Sequence, residues 1–155
     1  MTSLRGLKAR VDATHTSEDN RALSFDLFEA IEADADSLFQ IADGRRQLAS
    51  GKIDGDDLYG WRRFQESDCW RLFQRRSIDA AVSLIEKNLP GAEWEVSTLY
   101  GIAHASLPLN GGDIEPCQSA RREDGIVQLA MLSVLLDVMI VKGVEVRCTP
   151  YFPTR

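Results

Sequence analysis

The stretch Ser77-Ile-Asp-Ala-Ala-Val-Ser-Leu-Ile-Glu-Lys-Asn-Leu-Pro-Gly-Ala-Glu-Trp-Glu-Val-Ser-Thr-Leu-Tyr100 decides the fold, because the spacing of its apolar residues changes partway along. Ile78, Ala81, Val82, Ile85 and Leu89 recur at intervals of one helix face. Ser77 can cap that helix, Asp79 lies in its first turn, where a carboxylate complements the dipole, and Pro90-Gly91 stops it. From Trp94 the period falls to two. Trp94, Val96, Thr98 and Tyr100 alternate with Glu95, Ser97 and Leu99, which predicts a strand. Gly101 marks a tight turn into a second strand, Ile102 to Leu107, closed by Pro108, Gly111 and Gly112.

Downstream, a loop through Asp113 to Pro116 leads to a last helix. Ile126, Leu129, Ala130, Leu132, Leu136, Met139 and Ile140 make it apolar around most of its girth, so it is expected to be the most buried helix, with Gly143 just past its end. Val144 to Thr149 alternates and predicts a third strand before Pro150. Upstream, Leu4, Leu7 and Val11 predict a short helix ending near Ala13. Thr16-Ser17-Glu18-Asp19 reads as the cap of a second helix carrying Leu23, Leu27, Ile31 and Leu38, which Asp43-Gly44 is expected to stop near Ala42. Gly51 to Gly60 reads as a connection. Leu58 to Arg76 reads as helical in one or two pieces, with Trp61, Phe64, Trp70, Leu72 and Phe73 as its apolar content.

These periods predict one α+β domain over 1–155. A helical part (1–76) precedes a helix–β-hairpin–helix unit with a small antiparallel sheet (77–143), and 144–155 forms a tail or extra strand. The length suffices for a substantial core. A net charge of −6 argues against duplex nucleic acid as partner, since that needs a basic face. Cys69, Cys117 and Cys148 form no CxxC pair, so neither a zinc knuckle nor a redox motif is expected. The N-terminus has no signal-like apolar run, and Ile126 to Val141 is short for a bilayer and carries Gln128, Ser133 and Asp137. A soluble cytoplasmic protein, without membrane, metal or cofactor, is the expectation.

The run Ser77 to Glu86, then Leu89-Pro90-Gly91 and Trp94-Glu95, resembles the small "ABA sandwich" domain of bacteriophage and prophage proteins. In that family a Ser-Ile-Asp-Ala-Ala-Leu-type helix precedes a tryptophan-bearing strand, a variable hairpin, and an alanine- and leucine-rich helix to which Gly125 to Ile140 is similar. Leu4 to Ala13 followed by Arg21-Ala-Leu-Ser-Phe-Asp26 also resembles the opening of such proteins. The family's Val-Pro-Glu-Gly-Trp turn is replaced by Asn88-Leu-Pro-Gly-Ala-Glu-Trp94, and its Thr-Pro helix start is missing. The resemblance implies a phage-type accessory protein in a bacterial host and supplies no catalytic residues.

Charge is unevenly spread. Between Glu18 and Asp57 acids outnumber bases eleven to four, whereas Trp61 to Arg76 holds five arginines against Glu66 and Asp68. Trp61, Arg62, Arg63, Trp70, Arg71, Arg75 and Arg76 therefore form the candidate ligand-binding segment. Guanidinium forks match phosphate oxygens, and indole faces can stack on bases. The competing reading places the aromatics in the core and pairs the arginines with the acidic segment, within the chain or across a dimer. Other constellations are weaker. His104 with Ser106 and Asp113 evokes a hydrolase but lacks a nucleophile elbow. Asp54-Gly-Asp-Asp57 fails the calcium-loop register, and Gly111-Gly112 fits no phosphate loop. The sequence thus favours a non-enzymatic binding protein that self-associates and takes a small anionic ligand such as a nucleotide. A small phage hydrolase and an adaptor for a host protein are the alternatives.

Overall fold

The structure, a computed structural model, describes residues 3–15, 20–51, 58–108 and 117–143. Among the described residues, seven α-helices and a three-stranded antiparallel sheet make an α+β fold. Helix α1 (Leu4–Ala13) starts at Ser3, whose hydroxyl accepts the Gly6 N–H, and buries Leu4, Leu7 and Val11. The expected cap at Thr16 to Asp19 lies outside the described residues. Helix α2 (Arg21–Leu27) continues into a π turn, Phe28–Glu32, and the chain then breaks at Ala33 in an extended conformation. Asp34 caps a 3₁₀ turn, Ala35–Ser37, which leads into α3 (Leu38–Ser50).

The expected stop at Asp43-Gly44 is therefore wrong, because those two residues sit in the middle of α3 for tertiary reasons. A Cβ on Gly44 would lie 2.3 Å from the Phe25 ring, so only glycine lets the helix settle there. Asp43 is buried and accepts the Gly60 N–H at 2.6 Å across the neighbouring helix.

Helices α4 (Tyr59–Phe64) and α5 (Asp68–Gln74) divide the predicted Leu58–Arg76 segment in two. Helix α6 (Ile78–Asn88) is capped by Ser77 as expected. Its buried face, however, is Ala80, Ala81, Leu84 and Ile85, and Ile78 remains exposed. The helix is rolled toward α5 and α7 (Val127–Val141), against which it packs.

Strands β1 (Glu95–Leu99) and β2 (Ile102–Pro108) form the expected hairpin. Its two-residue turn, Tyr100-Gly101, has φ of 52° and 77°. Both central residues of this turn are left-handed, which glycine accepts freely and tyrosine does not. The third strand is β3 (Cys117–Arg122), antiparallel to β2, from a segment read only as the approach to the last helix. The predicted strand Val144 to Thr149 lies outside the described residues.

Helix α7 buries Gln128 through Leu136, Val138 and Met139. It lies on the inner face of the sheet, where Ala103, Ala105 and Leu107 are buried and Ala120 is half-buried, with α1 and α6 against its other sides. No helix among the described residues is long and apolar enough to cross a membrane.

The crossing of α3 and α4 is the tightest backbone approach. A Cβ on Gly60 would sit 2.0 Å from the Phe39 carbonyl oxygen. Gly60→Ala should cost about 1–3 kcal/mol through overpacking and lower the urea midpoint without changing the slope. An unchanged midpoint would show slack at the crossing.

Candidate functional site

The arginine- and tryptophan-rich segment does not form one surface. Trp61 is closed in an aromatic cluster with Phe64 (5.3 Å between centroids) and Trp70 (5.6 Å), and Phe64 also meets Phe25 and Phe28 edge-on. Trp61 is 1% exposed, and its indole N–H meets no acceptor among the described residues. Trp70 is half-buried against Trp61 and Phe64. The aromatics thus belong to the core, as the competing reading expected. Among the described residues the arginines of this segment form no ion pair with the acidic segment of the same chain. Arg71 is paired with Asp68, outside the acidic segment. Arg62, Arg63, Arg75 and Arg76 are exposed, and Arg63 lies 6.0 Å from the centroid of the Tyr59 ring.

Two charged networks are structural. Arg122 lies on the inner face of β3 and is buried. Its Nη1 donates to the Val11 carbonyl and its Nη2 to that of Thr14, both at 2.8 Å, so it closes the C-terminal end of α1. Nε and Nη2 also donate to Asp124, at 3.1 and 2.6 Å, and that hydrogen-bonded charge holds the Asp124 carboxyl below its ordinary range.

The second network ties the π turn to α5 and α6. Glu32 accepts the backbone N–H groups of Asp68 and Cys69 at 2.8 and 2.9 Å. Asp68 accepts from Ser83 and Lys87, each at 2.7 Å, and from Arg71. Burial pushes the Asp68 pKa up, but the bonds from Lys87, Ser83 and Arg71 outweigh it and hold the carboxyl low. For Lys87 burial lowers the pKa, and Asp68 and Glu32 more than restore it. Burial, with the adjacent Glu32 charge, raises the Cys69 thiol well above its ordinary value, so it is a poor nucleophile at neutral pH.

Three surface hollows differ in what their polar groups are doing. One of about 550 Å³, between the end of α1 and β3, is lined by charges already engaged: Lys8 with Asp12, Asp12 with Ser133, and Arg122 with Asp124. One of about 250 Å³ beside Glu32 and Lys87 belongs to the Asp68 network. The third, about 670 Å³, lies on the outer face of the sheet, against which no helix of the described residues is packed. The register explains its lining. Glu95, Ser106 and Ser119 form one cross-strand row, and Ser97, His104 and Arg121 form the next. Side chains in such a row stand roughly 5 Å apart.

Trp94, at 36% exposure, flanks the first row. Glu95, Ser97, His104, Ser106 and Ser119 make no side-chain hydrogen bond to another described residue. These polar groups converge on a concavity without being spent on one another. The period-two pattern had placed His104 and Ser106 on one strand face. Ser119 was out of reach of that signal, because β3 was not recognised. Asp113, the third member of the imagined triad, lies outside the described residues. No group of three or more His, Cys, Asp and Glu side chains among those residues is placed to hold a metal ion.

Removing the Asp68 charge tests the second network. Asp68→Asn should destabilise the fold by about 1–3 kcal/mol near pH 7, because the part-buried donors Arg71, Ser83 and Lys87 lose the charge they share. The pH dependence follows from the directions above. The stability Asp68 adds is complete above its ordinary value of 3.8 and is lost as pH falls through its lower folded value. The stability Lys87 adds is complete below 10.5 and is lost as pH rises through its higher folded value. Urea titrations of Asp68→Asn should show a shallower fall at acid pH than the native chain. Identical acid limbs would contradict this assignment. Arg122→Met should cost a similar amount by orphaning the Val11 and Thr14 carbonyls, and a loss under about 0.5 kcal/mol would mean that water replaces the guanidinium freely. Compared with known proteins, the chain matches no protein-family model, no curated protein and no solved structure.

Proposed function

We propose that the chain is a non-enzymatic accessory protein of phage or prophage type, acting by binding, with the outer face of the sheet as its ligand surface. The phage-type reading draws support from α6 preceding the hairpin and α7 closing the unit, as the sequence resemblance implies, with the additional strand β3 between the hairpin and α7. The ligand reading rests on one observation. Five unspent polar side chains and one indole face converge on a hollow of about 670 Å³.

The chemistry of that lining selects a small, uncharged, hydroxyl-bearing molecule. Glu95 supplies the one formal charge in the hollow, and a carboxylate accepts hydrogen bonds from hydroxyls. Ser97, Ser106 and Ser119 donate and accept, His104 does likewise through its two ring nitrogens, and Trp94 offers an apolar surface to a ring. A phosphate here would meet Glu95 in the lining, and the neighbouring cation, Arg121 opposite His104, is ion-paired with Glu123 at 3.6 Å.

Binding is favoured over hydrolysis by the strand arrangement. β2 is the central strand, so its backbone N–H groups are taken up on both sides, and no pair converges to hold an oxyanion. His104 has no carboxylate orienting its ring among the described residues. A second reading keeps an anionic ligand, such as a nucleotide, on the exposed arginines. Arg62, Arg75 and Arg76 favour it, being exposed and without a carboxylate partner among the described residues.

Titration with glucose, N-acetylglucosamine and adenosine, against ATP and inorganic phosphate, separates the two. Trp61 is buried and Trp70 half-buried, so a change in emission on binding reports mainly on Trp94. A neutral probe should shift that emission and, at about 100 times its Kd, raise Tm by about 5–10 °C. Trp94→Ala and Glu95→Gln should abolish the response, and Arg75→Ala with Arg76→Ala should leave it intact. A response to ATP alone, lost in the arginine variants, would replace the first reading with the second. Silence with every probe would remove both.

A further inference from the structure

Leu38, Phe39 and Tyr59 leave 47%, 71% and 58% of their surfaces in water, although each belongs to a well-packed helix. They come from two elements brought together at one place. The close approach of Gly60 to the Phe39 carbonyl sets the start of α4 directly on the start of α3. Charges of both signs border this apolar centre. Asp36 stands exposed two residues before Leu38, and Arg62 stands exposed one turn beyond Tyr59. Neither has an ionic partner among the described residues. Arg63 lies near the Tyr59 ring, 6.0 Å from its centroid.

We propose that this patch is the contact through which two copies of the chain associate about a two-fold axis. An isologous contact must be complementary to itself, so it needs an apolar centre and both members of each ion pair on the same surface. The patch has these parts. A two-fold axis running between them brings Arg62 of each copy to Asp36 of the other, making the pair twice. An acidic or a basic partner of a different kind would match only one of the two charges. The composition also suits a protein contact, since aromatic residues and arginine concentrate at the centres of such interfaces. Each chain carries a net charge of −6, so two copies repel at long range, and reciprocal pairing at the contact offsets that repulsion where it is greatest.

Sedimentation equilibrium of the full chain over about 1–300 μM tests the proposal. The native chain should show a monomer–dimer equilibrium. Phe39→Asp should raise the dissociation constant at least about thirtyfold, the loss expected of a central aromatic anchor. Arg62→Glu should weaken association by about tenfold, and the double variant Arg62→Glu/Asp36→Arg should return to within about threefold of the native value, because the pair is re-formed with its signs exchanged. Circular-dichroism melts distinguish loss of contact from loss of fold. Tyr59→Ser, at a second exposed position, should weaken the dimer in the same direction. A chain that stays monomeric throughout would overturn the proposal and leave the patch to a different protein. A dimer indifferent to Phe39→Asp and Tyr59→Ser, or a double variant no better than Arg62→Glu alone, would overturn it equally.

Discussion

Helix α7 is apolar around most of its girth, and the rest of the structure is arranged to keep it from water. Its residues from Gln128 to Leu136, with Val138 and Met139, are buried. Each large apolar side chain so placed contributes about 1.5–3 kcal/mol relative to exposure, so no element can be withdrawn cheaply from around it. One sheet can cover only one side of a helix. The remaining sides fall to α1 and α6, which pack against α7 from the N-terminal part of the chain and from the segment before the hairpin. The sheet in turn spends one face on α7. Alanines 103, 105 and 120 line that face and let the helix lie close. Among the described residues no element covers the opposite face.

Polar groups divide along the same line. Where they meet the core, they are held, except the Trp61 indole N–H and the Arg71 Nε, which meet no acceptor among the described residues. Arg122 closes the end of α1 and reaches Asp124, and Asp68 gathers Lys87, Ser83 and Arg71 while Glu32 takes the N–H groups at the start of α5. These ties join segments far apart in sequence, Val11 to Arg122 and Glu32 to Lys87, and so fix how the N-terminal helices sit on the sheet and on α6. On the outer face of the sheet the opposite holds. Glu95, Ser97, His104, Ser106 and Ser119 share a hollow without engaging one another. The proposed ligand surface rests on that contrast.

Much of this was legible in the sequence wherever one period governs a segment. The Ser77 cap, the hairpin turning at Gly101, the last helix and the short first helix all follow from spacing and end signals. The misreadings have physical causes. Asp43-Gly44 carries a local stop signal, yet tertiary contacts override it: glycine is needed beneath the Phe25 ring, and aspartate is needed to receive Gly60. Strand β3 was hidden because its inward positions are Gln118, Ala120 and Arg122, so the usual apolar alternation is absent. A buried arginine that caps a distant helix cannot be distinguished from a surface arginine by sequence alone. The candidate site suffered for the same reason. Trp61 and Trp70 promised faces for stacking and were drawn into the aromatic core, whereas Ser119 and Glu95 acquired significance only once the register set them beside Ser106.

The central claim is that α7 occupies one face of the sheet and leaves the other open. Side-chain NMR of the intact chain with a soluble paramagnetic probe measures this most directly. The His104 ring and the Leu99 methyls should broaden strongly, whereas the methyls of Ala103, Ala105, Leu132 and Leu136 should keep their intensity. Equal protection of His104 and Ala103 would show both faces covered, and the account of the sheet as a single-sided platform would fall.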